Sequence, residues 1–289
     1  MILNASGCLD ALTAPEVAGQ LDAFVTKTVT PLPRGGNEPA RIAETDVGML
    51  NSIGLANPGI DALIADVLPQ LAELDVPIWV SVGGFCAQDY ADLCRRLDRE
   101  PSVEAIELNV SCPNVAEPAD GVGEIVTAAR AATSKTIYTK LSPASADIAA
   151  VAEAAAEAGT DGLSLVNTIR GLALDSATLT PTLSTGTGGL SGPALRPVAL
   201  AAVFTAFRAT ALPIVGMGGV ETGRHALELI AAGARACALG TILFADPDAP
   251  ARIRAELTAE AEALGFETPV SAYAEAHGKK PSLPLRHVA

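Results

Sequence analysis

The sequence predicts one α/β domain, a (β/α)8 TIM barrel with long insertions in two of its βα loops. Short apolar runs alternate with longer stretches rich in Ala, Leu and Glu that have a helical period. Eight such β–α pairs follow one another, as a closed parallel barrel requires. The length of 289 residues is also usual for one barrel of this type. We therefore treat residues 1–289 as a single barrel domain.

Eight segments are predicted to be the barrel strands. Each is a short, nearly continuous apolar run, which is typical of a parallel strand that is buried on both faces. In chain order they are residues 2–5, 23–28, 78–82, 105–108, 137–140, 162–166, 214–216 and 236–239.

The helices are predicted between these strands, with one more after the last of them. Their ranges are 14–21, 59–74, 87–97, 122–132, 146–158, 197–207, 223–232 and 250–264. Two connections, 31–56 and 170–193, are long and are predicted to have irregular structure. Such connections in a compact barrel usually carry function. The tail from about residue 278 is expected to be loosely attached.

Composition excludes several classes of protein. The chain has 19 basic and 33 acidic residues, a net charge of −14, which argues against a nucleic-acid or anionic-membrane binder. No uncharged apolar run reaches the roughly 18 residues of a membrane span, and the N-terminus lacks the features of a secretory signal. The five cysteines are odd in number and form no CxxC, so we expect no disulfide framework and no metal site. We expect a cytoplasmic protein.

Polar side chains follow several of the predicted strands. Lys27, Lys140, Asn109 and Asn167 are among them, and Cys112 lies just past the fourth strand. Each residue alone has an ordinary explanation as a turn, cap or surface residue. The carboxyl ends of all barrel strands meet at one face, however, and barrel enzymes place their chemistry there. The set therefore predicts a site at this mouth.

Glycines after the seventh and eighth strands predict a phosphate site. They lie in the stretches 216–219 and 240–241, and barrels often bind phosphate with the loops at these two positions. The backbone N–H groups and the N-terminus of the helix near Thr222 are expected to face the phosphate. Tight strand-to-helix turns are the alternative explanation. A phosphate grip with two lysines fits flavin mononucleotide (FMN), because a lysine beside the flavin ring tunes its redox chemistry.

Cys112 is the candidate catalytic residue. A thiol at this position could act as a general base or as a nucleophile. A nucleophile needs a nearby base, and none of the three histidines follows a strand, so proton abstraction is favoured. The remaining cysteines are interpreted as structural: Cys8, Cys86, Cys94 and Cys237.

Nine stretches, in order along the chain, resemble segments of the class 1 dihydroorotate dehydrogenases, flavin enzymes of pyrimidine biosynthesis. They are NASG (4–7), TKTVT (26–30), NSIGL (51–55), ELNVSCPN (107–114), TKLSP (139–143), VNTIRG (166–171), GGLSGPALRP (188–197), GMGGVETG (216–223) and LGT (239–241). The resemblance implies oxidation of dihydroorotate to orotate. Cys112 would remove a proton from C5, and the hydride from C6 would pass to N5 of FMN.

The resemblance also implies two sets of binding residues. Those that would hold dihydroorotate or orotate are Lys27, Asn51, Ile53, Gly54, Leu55, Asn109, Asn114, Asn167 and Thr168. Those that would contact FMN are Ser6, Lys27, Thr28, Asn109, Lys140, Val166, Gly192, Gly218, Gly219, Gly240 and Thr241.

The stretches 167–175 and 188–197 resemble the 1B subtype, whose members pair with an FAD and iron–sulfur subunit and reduce NAD. The 1A subtype reduces fumarate as a homodimer. We expect a homodimer here, with such a partner subunit if the 1B resemblance holds, and NAD, fumarate and a quinone stay open as acceptors. Two departures from the family are the start at Met1, where relatives have an additional segment, and the loop 115–121. They leave two alternatives: an FMN barrel that oxidises another dihydropyrimidine such as dihydrouracil, or a non-catalytic flavin- or pyrimidine-binding barrel.

Overall fold

The computed structural model describes residues 1–110 and 121–278. Within these ranges eight strands form a parallel sheet that curls into a barrel, so the predicted fold class is confirmed. The barrel strands are β1 (Ile2–Asn4), β2 (Phe24–Val25), β5 (Ile78–Val82), β6 (Val103–Asn109), β7 (Thr136–Leu141), β8 (Gly162–Leu165), β11 (Ile214–Met217) and β12 (Ala236–Leu239). Each of them overlaps one predicted strand. The predicted loose tail lies, past Gly278, outside the described residues.

Helices separate most of these strands and cover the outside of the barrel. They are α1 (Pro15–Ala18), α2 (Gly59–Ala62), α3 (Leu68–Leu71), α4 (Ala87–Leu97), α5 (Val122–Arg130), α6 (Ile148–Glu157), α7 (Arg196–Ala209), α8 (Gly223–Ala231) and α9 (Ala249–Ala263). The single helix predicted over 59–74 is instead divided by a π-helical turn, Leu63–Val67. Pro69 gives the physical reason, because its ring has no N–H for the carbonyl four residues earlier and clashes with it.

Side chains alternate along the strands between two cores. Leu3, Val25 and Trp79 belong to a small cluster inside the barrel, whereas Ile2 and Phe24 belong to the large cluster under the helices. The inner cluster includes a tilted ring pair, Trp79 and Tyr138, whose centroids are 4.5 Å apart. Burial on both faces explains why the barrel strands read as continuous apolar runs.

The barrel closes at a seam between β1 and β2. A single parallel bridge joins Leu3 to Ala23, and the side-chain amide of Asn4 replaces the next rung of the ladder. Its Nδ2 donates to the Val25 carbonyl at 2.7 Å, and its Oδ1 accepts from the Val25 N–H at 2.8 Å. Asn4 is fully buried, so no water can take over these two bonds.

A second sheet covers the mouth of the barrel. The two long connections, predicted as irregular, each contribute two strands: β3 (Ile42–Thr45) and β4 (Gly48–Asn51) from the first, β9 (Ile169–Gly171) and β10 (Gly188–Ser191) from the second. These strands pair antiparallel in the order β3-β4-β10-β9. The prediction of irregular structure was wrong because the strands are short and because β4 pairs with β10, which is far from it in sequence, so no local pattern indicates the pair.

No helix in the described ranges combines the length and apolar character needed to cross a membrane.

Replacement of Asn4 by Ala is expected to open the barrel seam. The N–H and carbonyl of Val25 would both lose their partner in a dry environment, which we expect to lower the free energy of unfolding by about 2–4 kcal/mol. Urea unfolding followed by circular dichroism measures this loss. Gln70→Ala, an exposed change on α3, is the control and should stay within about 0.5 kcal/mol of the parent. Equal stability of the two variants would contradict the assigned seam.

Candidate active site

A cavity of about 500 Å³ lies at the carboxyl ends of the barrel strands and beneath the second sheet. Barrel residues such as Ser6 and Asn109 form its inner end, and residues of the second sheet such as Met49 and Gly189 form its cover. This volume is in the range of small-molecule and cofactor sites.

The predicted site residues come together in this cavity. All eleven predicted flavin contacts line it: Ser6, Lys27, Thr28, Asn109, Lys140, Val166, Gly192, Gly218, Gly219, Gly240 and Thr241. The predicted substrate contacts that line it are Lys27, Asn51, Ile53, Gly54, Leu55, Asn109, Asn167 and Thr168. The other substrate contact, Asn114, and the candidate base, Cys112, lie outside the described residues.

Lys140 is a buried polar group at the inner end of the cavity, held by both a hydrogen bond and an ion pair. It is the second-last residue of β7, its side chain is only 5% exposed, and its ammonium donates to Ser6 Oγ at 2.9 Å. The carboxylate of Glu107, which is 1% exposed, lies 3.7 Å away. A buried ammonium is tolerated only with such partners, so the fold holds a positive charge in place at this end.

Hydrogen bonds run in one direction from the cavity wall to Glu107. Asn109 Nδ2 donates to Thr28 Oγ1 at 3.0 Å, and Ser81 Oγ donates to Glu107 Oε1 at 3.1 Å. The two hydroxyls are 3.0 Å apart, and since the Ser81 proton is directed at Glu107, Thr28 is the donor between them. This series of hydrogen bonds fixes the side-chain amide of Asn109. The Oδ1 of the same amide accepts from Asn167 Nδ2 at 3.4 Å.

Lys27 follows β2 and lies on the same side of the cavity. A Cβ added to Gly7 would come within 2.9 Å of its Cδ and 3.1 Å of its Nζ. Glycine at position 7 therefore leaves room for the lysine stem against the loop after β1. Lys27 and Lys140 thus bring two cations into a cavity of a protein whose net charge is −14.

Glycines form the part of the cavity wall that follows β11 and β12. Gly218 and Gly219 have φ angles of 125° and 70°, which only glycine adopts readily. A Cβ on Gly219 would lie 2.8 Å from the Gly192 carbonyl oxygen and 2.9 Å from the Arg196 nitrogen. The Thr241 hydroxyl donates to Ser191 Oγ at 2.8 Å, so the donors that this wall can offer to an anion are backbone N–H groups.

The expected role of the α8 N-terminus at this anion site is wrong. The N–H of Gly223 donates to Glu256 Oε2 at 2.8 Å, and the N–H of His225 donates to the Thr222 hydroxyl at 3.3 Å. These groups are therefore occupied by a carboxylate from α9 and by the helix cap. The carboxylate also places negative charge at this helix end. The loop glycines, rather than the helix, remain as the candidate anion site.

Sequence reasoning missed several cavity residues and their supports. Ser191 and Met49 line the cavity but belong to strands that were predicted as irregular. Glu107 and Ser81 are buried beneath it. The signal available in the sequence was the pair of polar residues inside otherwise apolar strands, because such residues are rarely buried without a partner.

The interpretation of the cysteines as structural needs two corrections. Cys8 lines the cavity, and burial raises the pKa of its thiol. Cys86 is exposed at the start of α4. Cys94 and Cys237 are buried as expected, and burial raises the pKa of each to about 12. In the described ranges, no group of three or more His, Cys, Asp or Glu side chains is arranged to hold a metal ion.

Comparison with known proteins gives one consistent family. The family model described as dihydroorotate dehydrogenase matches residues 1–260. The dihydroorotate dehydrogenase B (NAD(+)) catalytic subunit of Desulforudis audaxviator is 48% identical over 250 residues, which cover 84% of this chain and 81% of that protein. The subunit of the same name from Listeria monocytogenes (strain EGD-e) is 41% identical over 277 residues, which cover 92% of this chain and 91% of that protein.

Solved structures agree on the fold. Dihydroorotate dehydrogenase (DHODH) from Eimeria tenella in complex with ferulenol superposes with a TM-score of 0.79 at 23% identity, covering 96% of this chain and 85% of that one. The ligand-free type of the same enzyme gives a TM-score of 0.80 at 22% identity, covering 95% of this chain and 88% of that one. At this identity the likeness establishes the barrel and its inserted loops.

Cys8 should react more slowly than Cys86 with iodoacetamide. The thiolate is the reactive form, and burial raises the pKa of Cys8, so its rate should still be rising at pH 9 without a plateau. Timed labelling of the cofactor-free protein between pH 7 and pH 9.5, with peptides quantified by mass spectrometry, measures both rates. A plateau for Cys8 below pH 8 would contradict the buried environment assigned to it.

Proposed function

Since this chain belongs to the dihydroorotate dehydrogenase family, we propose that it is the FMN-binding catalytic subunit of an NAD-linked enzyme. Dihydroorotate oxidation to orotate, an oxidoreductase step of pyrimidine biosynthesis, is the activity of the family. The observation that carries the FMN assignment is the cavity itself, whose wall contains both a buried ammonium, at Lys140, and a stretch of glycine backbone. The alternatives from the sequence, another dihydropyrimidine or a non-catalytic barrel, become outcomes of the test below.

The residues present fit FMN in their chemistry. A phosphate needs donors, which the backbone N–H groups of Gly218, Gly219 and Thr241 can supply in the cavity wall. The polar edge of a flavin ring needs fixed donors, which Lys140 and Ser6 supply. Apolar residues such as Val166 and Met217 line the same cavity. When bound, FMN accepts the hydride from C6 of the substrate.

Dihydroorotate is a small ring with carbonyls, N–H groups and a carboxylate, and the cavity offers a matching set. The ammonium of Lys27 would pair with the negative charge of the substrate. Amide side chains can both donate and accept, and Asn51, Asn109 and Asn167 all line the cavity. The hydrogen-bond chain that ends at Glu107 fixes the amide of Asn109 before the substrate arrives, which reduces the entropy lost on binding.

The proton from C5 is assigned to the thiol of Cys112. The support is the stretch ELNVSCPN, residues 107–114, whose Asn109 ends β6 and lines the cavity. Asn114, in the same stretch, is assigned to the substrate on the same support. The thiolate form of Cys112 would take the proton from C5, and the hydrogen of the neighbouring C6 would leave as hydride with two electrons.

A partner subunit is part of the proposal. The curated relatives named here are catalytic subunits of NAD-linked enzymes, and their name implies a second subunit. In the described ranges no metal-binding cluster is present, and the resemblance to the 1B subtype assigns an iron–sulfur centre and FAD to the partner. We further propose that the catalytic subunit forms a homodimer. Size-exclusion chromatography with light scattering tests both statements. The mass of the protein alone reports the homodimer, and the mass after addition of a flavoprotein captured with it reports the complex with a partner subunit.

Anaerobic titration of the FMN-loaded protein with dihydroorotate tests the proposed reaction. We expect the absorbance of oxidised flavin to bleach, and to return on addition of NAD only when the partner subunit is present. Bleaching by dihydrouracil but not by dihydroorotate would favour the alternative dihydropyrimidine. A spectral shift without bleaching would favour a non-catalytic binder. A protein that is colourless after incubation with FMN and removal of the unbound FMN would contradict the cofactor assignment.

Replacement of Cys112 by Ser is expected to leave FMN bound and to slow reduction by dihydroorotate at pH 7. A hydroxyl is a much weaker base near neutral pH, and general-base catalysis is worth roughly 10²- to 10⁴-fold in rate. Stopped-flow measurement of flavin bleaching gives the rate. Cys86→Ser, a change at an exposed cysteine, is the matched control and should reduce at the parent rate. An unchanged rate in Cys112→Ser would remove the thiol from this role.

Replacement of Gly219 by Ala should weaken FMN binding. The added Cβ meets the backbone of Gly192 and Arg196, and the positive φ is unfavourable for Ala, so the dissociation constant should rise by about tenfold or more. Quenching of FMN fluorescence measures the constant. Gly35→Ala is the control, because no atom lies within 4 Å of its added Cβ and its φ is not positive. Equal FMN affinities of Gly219→Ala and the parent protein would show that the phosphate does not bind at the Gly219 loop.

A further inference from the structure

A buried ion pair lies beneath the candidate site, and the effect of its carboxylate on the flavin is not part of the function proposed so far. Glu107 does not line the cavity, yet its carboxylate is 3.7 Å from the ammonium of Lys140, which does. The two side chains are 1% and 5% exposed. Glu107 lies on β6 and Lys140 on the neighbouring strand β7, opposite Asn109.

Stability alone does not explain this pair. The desolvation of two charges in a protein interior offsets most of their attraction, so an apolar pair of similar size is often as stable. The inner core immediately below is apolar and includes Trp79, Ala105 and Tyr138. A charged pair in the layer between this core and the cavity therefore suggests a role in the cavity.

Hydrogen bonds hold the carboxylate of Glu107 in place. Its Oε1 accepts from Ser81 Oγ, which lies opposite Glu107 on β5. Thr28 and Asn109 donate in sequence toward Ser81. In the register of β6 and β7, Glu107 lies two residues deeper in the barrel than Asn109, the residue opposite Lys140.

We propose that Glu107 is a positioning residue that acts through Lys140: it fixes the ammonium against the flavin site and partly offsets its charge. The inference rests on the proposed FMN site. Lys140 alone would favour the reduced, more electron-rich ring by its full positive charge. Glu107 reduces this effect and so keeps the reduction potential of the bound flavin low enough for the electrons to leave toward NAD.

The test is the midpoint potential of bound FMN in Glu107→Gln, measured anaerobically against reference dyes at pH 6.5. Loss of the carboxylate should raise the midpoint potential of bound FMN. The dissociation constant of oxidised FMN, divided by that of reduced FMN, should rise by about tenfold or more. Glu104→Gln, an exposed change on the same strand, should leave the potential at the parent value. Glu107→Asp, which keeps the charge farther from Lys140, should lie between parent and Gln variant.

An unchanged or lower potential in folded, FMN-saturated Glu107→Gln overturns the proposal. Failure of the parent protein to bind FMN would instead overturn the proposed function, and the fluorescence titration separates the two results. A purely structural role would change the melting temperature of Glu107→Gln and leave the potential unaltered.

A second measurement covers a Glu107→Gln protein that folds poorly. In the double variant Glu107→Gln, Lys140→Met, no uncompensated ammonium remains buried, so the cofactor-free double variant should regain at least half of the loss in melting temperature. Recovery supports the assigned pair. A double variant that is as unstable as Glu107→Gln, or that also fails to fold, shows that Glu107 acts through other contacts and overturns the proposal.

Discussion

Closure of the parallel sheet is the constraint on which the remaining structure depends. Parallel strands in a ring end on the same side, so every residue that follows a strand is brought to one mouth. Closure here requires a connection between β1 and β2, which the Leu3–Ala23 bridge and the buried amide of Asn4 supply together, the amide by bonding both backbone groups of Val25. Residues as distant in sequence as Ser6 and Thr241 line one cavity for this reason.

Charge inside the barrel is arranged in layers. Apolar and aromatic side chains such as Trp79 fill the middle of the barrel, and a polar layer with Ser81, Glu107 and Lys140 lies above them. The polar groups satisfy one another through hydrogen bonds, which is the condition for burying them at all. The result is a rigid inner end of the cavity whose donors are already oriented. The glycine backbone in another part of the wall is packed so closely against neighbouring backbone that no space is left for a side chain, as at Gly219.

The second sheet turns an open mouth into a cavity. Its strands come from two insertions that lie far apart in the chain, and an amide of one insertion, Asn51 Nδ2, donates to a carbonyl of the other, at Gly189, at 3.2 Å. Residues of both insertions line the cavity. Access to the site therefore depends on the pairing of β4 with β10, and so does the position of predicted contacts such as Asn51.

The sequence by itself determined the barrel, the identity of its eight strands, the mouth at which the polar residues meet and the family. Each of these follows from local patterns: apolar runs such as 78–82, the helical period between them and short motifs such as TKLSP. Only the tertiary structure decided the second sheet, the partner of Glu107, the capping of α8 by Glu256 and the location of Cys8 in the cavity wall. All four depend on contacts between residues far apart in the chain, and the energy of such a contact is set by burial and geometry that a local pattern does not contain.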